Sequence, residues 1–163
     1  MSIQPLNTQL LDYIKENLTG TAQQNALGFI QHLTSLGMTA EGSANDGRFV
    51  YKDKIVCYMY FGSSKNNPGY PEPWTVWMQN QFEAEPEGFP VNDQIKGITW
   101  ANVHNCDDNC PYINNGCSSK RIIFGREFDK LCQTPIGFTD PNAEAVECMK
   151  KLMEMMKLII DTN

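Results

Sequence analysis

Residues 48–61, Arg48-Phe-Val-Tyr-Lys-Asp-Lys-Ile-Val-Cys-Tyr-Met-Tyr-Phe61, decide which kind of fold this chain adopts. Phe49, Val50 and Tyr51 precede the polar Lys52-Asp53-Lys54, and Ile55 to Phe61 follow it. Nearly every residue outside the polar triplet is β-branched, aromatic or apolar, which predicts two strands joined by a turn. In the second strand Ile55, Cys57, Met59 and Phe61 share one face, and Val56, Tyr58 and Tyr60 share the other. Both faces are apolar, so each needs a cover, and one has room to border a cavity.

Moving outward, Trp74 to Phe82 predicts a third strand, with Trp74, Val76, Met78 and Phe82 on one face. Trp77 falls on the opposite, more polar face with Thr75, Gln79 and Gln81. The stretch Gly62 to Pro73 is rich in turn residues and too long for a tight hairpin. Upstream, Leu6, Leu10, Leu11, Ile14 and Leu18 recur at helical spacing. Asn7 or Thr8 is the expected cap, and Gly20 the expected stop. Ala22, Ala26, Phe29, Ile30, Leu33 and Leu36 mark a second helix, closed by Gly37. At the other end, Asp140 reads as an N-cap and Pro141 as the first position of a helix running through Val146, Met149, Met153, Met156 and Ile160.

The chain has 163 residues, 41% of them apolar and 20% charged, which fits one globular domain spanning 1–163 with a real core. A net charge of −6 opposes phosphate backbones and anionic membranes, so neither nucleic acid nor a membrane is an expected partner. The N-terminus shows no basic segment followed by an apolar run, and no apolar stretch approaches a membrane span. The expectation is a soluble, cytoplasmic protein.

Cysteine is the unusual residue. Four of the six lie together as Cys106-x3-Cys110-x6-Cys117-x14-Cys132, within a cysteine-rich loop of about residues 104–132. Zinc takes four soft or borderline ligands in a tetrahedron, and thiolates from an irregular loop can meet that geometry without a preformed core. The turn formers between the cysteines leave the loop little apolar material of its own. A closed set of four cysteine ligands points to structural zinc rather than catalytic zinc, which keeps an open position. His104 is a spare ligand candidate. The alternative is thiol–disulfide chemistry, pairing Cys106 with Cys110 or Cys117 with Cys132, with Arg121 or Arg126 lowering a thiol pKa. Cys57 and Cys148 fall within a strand and a helix and read as small apolar core groups.

Common catalytic signatures are missing: H-E-x-x-H, the zinc-deaminase pair, G-x-G-x-x-G, the Walker loop and G-x-S-x-G. His32, among apolar helical neighbours, reads as structural. Tyr58, Trp74, Trp77 and Trp100 are candidate lining for a ligand cleft, with core filling as their plainer role. Arg126 belongs to the cationic segment Lys120 to Lys130, which would attract an anionic small molecule unless its charges are satisfied by salt bridges. The methionines of the last helix would serve as an adaptable contact surface or as core filler.

The stretches Tyr51 to Tyr58, Trp100-Ala-Asn-Val103, Ile123 to Phe128 with Cys132 behind, and Asp140 to Glu144 resemble a small uncharacterised bacterial protein family. The resemblance implies a cytoplasmic bacterial protein with a cysteine-bearing C-terminal half, and it supplies no activity or catalytic residue. The Gly62 to Pro73 stretch and the paired N-terminal helices depart from it.

Together these readings predict an α+β domain: N-terminal helices, a largely antiparallel sheet over 48–82, a cysteine-rich loop, a short strand near Ile122 and a closing helix. The leading functional expectation is a non-enzymatic domain that binds a small-molecule ligand or a protein partner and is stabilised by zinc on Cys106, Cys110, Cys117 and Cys132. A redox enzyme or sensor and an interaction module built on the C-terminal helix are the alternatives.

Overall fold

The fold is α+β, as the patterning predicts. A computed structural model describes residues 6–44, 46–61, 73–79, 81–105 and 119–163. Its elements are α1 (Leu6–Asn17), α2 (Gly20–Ser35), β1 (Thr39–Gly42), β2 (Asp46–Tyr51), β3 (Lys54–Phe61), β4 (Trp74–Met78), α3 (Asp93–Ala101), β5 (Ser119–Ile123), β6 (Arg126–Leu131), β7 (Ile136–Thr139) and α4 (Ala143–Asp161). Five strands form an antiparallel sheet in the order β1-β2-β3-β4-β7, and β5 and β6 form a separate two-stranded ribbon.

The β2–β3 turn is built as its residues require. Lys52 and Asp53 both have positive φ, at 49° and 65°, and Tyr51 pairs with Lys54, the two-residue geometry whose twist matches the flanking strands. Phe124 and Gly125 repeat it between β5 and β6. A bulge breaks the expected alternation in β3: Phe49 faces Cys57 and Val50 faces Ile55, so Val56 is the extra residue. Ile55 therefore leaves the row formed by Cys57, Met59 and Phe61.

Register sorts the sheet into two faces. Phe49, Cys57, Met78 and Ile136 form one cross-strand row of the core face, with Met59, Val76 and Phe138 beside it and Phe61 opposite Trp74. All are buried. Helices cover this face: Phe29 of α2 meets the Trp74 ring at 6.1 Å, and Tyr13 of α1 meets Phe61 at 5.6 Å. From α4, Met149, Leu152, Met153, Met155 and Met156 are buried in the same core. The methionines are thus core groups, and α4 does not offer them as a surface.

Helix ends differ from expectation in instructive ways. Gly37 does close α2, since its amide reaches Thr34 O and the Met38 amide reaches Leu33 O around a positive φ. Gly20, however, opens α2 after α1 has ended at Asn17. Asn142, not Asp140, caps α4 by accepting from the Ala145 amide, because Asp140 is turned to φ 41°. Asn7 lies inside α1, and its carboxamide is spent on β1.

At the far end of α4, Asp161 accepts from the Tyr51 hydroxyl at 2.7 Å and pairs with Lys52 at 2.7 Å and Lys157 at 3.1 Å. The hydrogen bond from Lys52, followed by those from Tyr51 and Lys157, holds the Asp161 carboxyl well below the usual carboxylate range. A depressed folded pKa stabilises the fold above the unfolded value of about 4 and ceases to do so as pH falls through the folded value. Asp161→Asn should therefore lower the melting temperature slightly at pH 7. The gap from the parent protein should narrow below about pH 4 as the unfolded carboxyl becomes protonated. A gap that is constant from about pH 7 to about pH 2 would exclude this contribution.

Candidate functional site

The second sheet face carries Tyr58, Tyr60 and Trp77. Arg48, Tyr58, Trp77 and Gly137 form one cross-strand row, and Tyr60, Thr75 and Thr139 lie in the next. Tyr58, Tyr60 and Trp77 are half-buried, while Thr75 is buried. The indole of Trp77 lies across Gly137: a Cβ added there would stand 2.5 Å from Cζ3 and 2.7 Å from both Cε3 and Cη2. Only glycine leaves room for a ring pressed onto the strand backbone.

His104 completes this corner. Its ring meets Trp77 edge-on at 5.1 Å, and its Nε2 lies 3.0 Å from Gly137 O. A carbonyl only accepts, so Nε2 donates, and in neutral His104 the free lone pair is on Nδ1. The backbone fixes the residue as well: the His104 amide donates to Pro135 O at 2.9 Å, Val103 bridges to Ile136, and the Gly137 amide donates to Asn102 O.

The five residues read as ligand lining do not form one cleft. Tyr58 and Trp77 are direct neighbours on the second face. Trp74, on the same strand but the opposite face, is 0% exposed and belongs to the core. Adjacent strand residues point to opposite sides, and the parity of position 74 matches Val76 and Met78. Trp100 and Arg126 form a third group: the guanidinium stands 5.7 Å from the indole centroid and 5.3 Å from the Phe128 ring, while Trp100 Nε1 donates to Ile123 O at 2.8 Å. Those contacts dock the β5–β6 ribbon onto α3. Lys120 pairs with Glu127 at 3.0 Å, and Arg121 Nε donates to Leu131 O, so these two cations have partners within the ribbon.

Cys106, Cys110 and Cys117 lie outside the described residues. Cys132 is described; it is half-buried, with Sγ 3.8 Å from Thr134 Oγ1. Among the described residues no group of three or more His, Cys, Asp or Glu side chains is arranged to hold a metal ion. Cys57 and Cys148 are buried, as their strand and helix positions implied. Burial pushes the Cys57 thiol up to about 12 and the Cys148 thiol up to about 11, which keeps both protonated and unreactive at neutral pH. His32, on α2, faces α4, with its Nε2 3.4 Å from Glu154 Oε2. A groove of about 320 Å³ between α3 and α4 is lined by Ile95, Ile98 and Cys148.

Gly137 was missed in the sequence reading, although an isolated glycine between Ile136 and Phe138 signals a close approach to a strand backbone. Gly137→Ala is expected to force the indole away at a cost of about 1–3 kcal/mol and to shift tryptophan emission. Unchanged emission and melting temperature would contradict the close approach.

No protein-family model, curated protein or solved structure matches the chain. No described helix is long and apolar enough to cross a membrane.

Proposed function

We propose that this chain is a non-enzymatic binding domain. It presents the Tyr58–Trp77 face to a small ligand or partner, and zinc on Cys106, Cys110, Cys117 and Cys132 ties down the segment beside that face. The observation carrying this reading is where the chain enters and leaves residues 106–118. On the entering side, the His104 amide is bonded to Pro135 O, and Pro135 is three residues from Cys132. On the leaving side, Ser119 pairs with Leu131, the residue immediately before Cys132. Along the chain, Cys106 and Cys117 are each two residues from one of these anchors. The two described anchors, His104 and Ser119, are thereby each paired with a residue within three positions of Cys132. Cys110 lies between them in the chain.

His104 joins the two halves of the proposal, because it contacts Trp77 and stands two residues before Cys106. Zinc on the cysteines would therefore act two residues along the chain from one wall of the aromatic face. A half-buried indole flanked by a tyrosine and an imidazole offers apolar area with polar edges, the usual make-up of a small-molecule site.

Metal analysis combined with tryptophan emission tests the reading. Protein purified without chelator should carry about one zinc per chain, and stripping it should shift the tryptophan emission, a shift that disappears in Trp77→Phe. Metal-free protein with a reducible bond between Cys117 and Cys132 would favour the redox alternative, since each of these cysteines is within two residues along the chain of the paired Ser119 and Leu131. For the binding face, fragments screened by NMR should shift the Trp77 indole resonance. Hits confined to the α3–α4 groove would overturn the assignment of the face.

A further inference from the structure

The Asn7 side chain engages the outer edge of β1. Asn7, in the first turn of α1, donates from Nδ2 to Met38 O at 3.2 Å and accepts at Oδ1 from the Ala40 amide at 2.8 Å. Nδ2 also donates to Thr34 Oγ1 at 2.9 Å, which anchors the carboxamide to the end of α2. Met38 O and Ala40 N–H are the acceptor and donor that an added strand would engage, and the Ala40 amide is directed away from β2 because it is given to Asn7. A primary carboxamide carries the same donor and acceptor pair as a peptide group, so Asn7 replaces one link of a sixth strand.

An open edge strand is a template for pairing with another chain. At the opposite edge of the sheet, β7 is already covered by the backbone of Asn102 to His104. At β1 the Asn7 carboxamide takes that place. We propose that Asn7 is an edge guard that keeps β1 from pairing with β1 of a second copy. The second copy is the fitting occupant because identical antiparallel edges are self-complementary about a two-fold axis. With Ala40 on that axis, Thr39 of each copy faces Glu41 of the other, so the two acidic side chains are not set directly opposite. Glu41 is also neutralised within its own chain by Arg48 at 3.2 Å.

Three variants test the guard by amide exchange and by mass in solution across a concentration series. Asn7→Ala should speed exchange of the Ala40 amide at least about 10-fold at low concentration, leave β3 amides unchanged, and produce a dimer as concentration rises. Asn7→Asp, which keeps the acceptor and loses the donor, should fall between the two. Adding Ala40→Pro to Asn7→Ala removes the outward donor that β2 does not use, and should restore the monomer. A dimer persisting in the double variant would show association by another route and overturn the proposal. Asn7→Ala that stays monomeric at every concentration would overturn it equally, since the carboxamide would then be a local tie and no guard.

Discussion

Met153→Ala is expected to destabilise the fold by about 2–5 kcal/mol, the range for removing a buried long apolar side chain and leaving a cavity. Met153 is 0% exposed, with Met149, Leu152 and Met156 of the same helix buried beside it, in the core that also holds Phe29 and Leu33 of α2. Met153→Ser should be worse, because it adds an unpaired hydroxyl to the same void. A contact surface for a partner would behave oppositely: the variant would stay folded and lose only assembly. Thermal or urea unfolding of Met153→Ala, compared with exposed Lys151→Ala as a control, separates the two. A loss below about 0.5 kcal/mol, the usual range for surface changes, would contradict a core role.

Cys117→Ser should weaken zinc binding by more than about 100-fold, beyond what outer-shell changes cost, and should lower the melting temperature together with metal content. In the proposed site, removing one thiolate of four would leave an incomplete tetrahedron, and the segment around Cys117 carries few apolar residues. Cys57→Ser is the matched control. Its sulfur lies in the sheet core, on a strand that pairs with β2 and β4 and not with the ribbon. That variant should lose stability, by about 1–3 kcal/mol for the buried hydroxyl, while keeping its metal. Full zinc content in Cys117→Ser, or equal metal loss in both variants, would contradict the proposed ligand set.

Much of the fold was legible because its signals are local. The β2–β3 hairpin follows from dense apolar residues around Lys52-Asp53-Lys54, and α2 and α4 from apolar stripes of helical period. Elements that depend on distant partners were not legible. β1 has only Ala40 as a buried residue, and its pairing with β2 is what makes it a strand. β7 spans four residues, and its place beside β4 is set by Trp77 lying over Gly137. α3 carries too few apolar residues for its period to be read from the sequence, yet Asn92 caps it by accepting from the Ile95 amide and Lys96 pairs with Glu85.

The candidate site was legible in its residue types and not in its grouping. Aromatic character identified Tyr58, Trp74, Trp77 and Trp100 together, but strand parity sends Trp74 to the core, and helix α3 carries Trp100 to the ribbon. Only Tyr58 and Trp77 share a face, and the residues that complete it, His104 and Gly137, come from a backbone bridge and a close approach that no periodicity reveals.

Zinc-edge X-ray absorption on protein purified without chelator addresses the ligand set itself. Bound zinc with four sulfur neighbours at about 2.3 Å is the expected spectrum. A metal-free protein, or zinc surrounded only by oxygen and nitrogen, would mean that these thiolates do not share a centre.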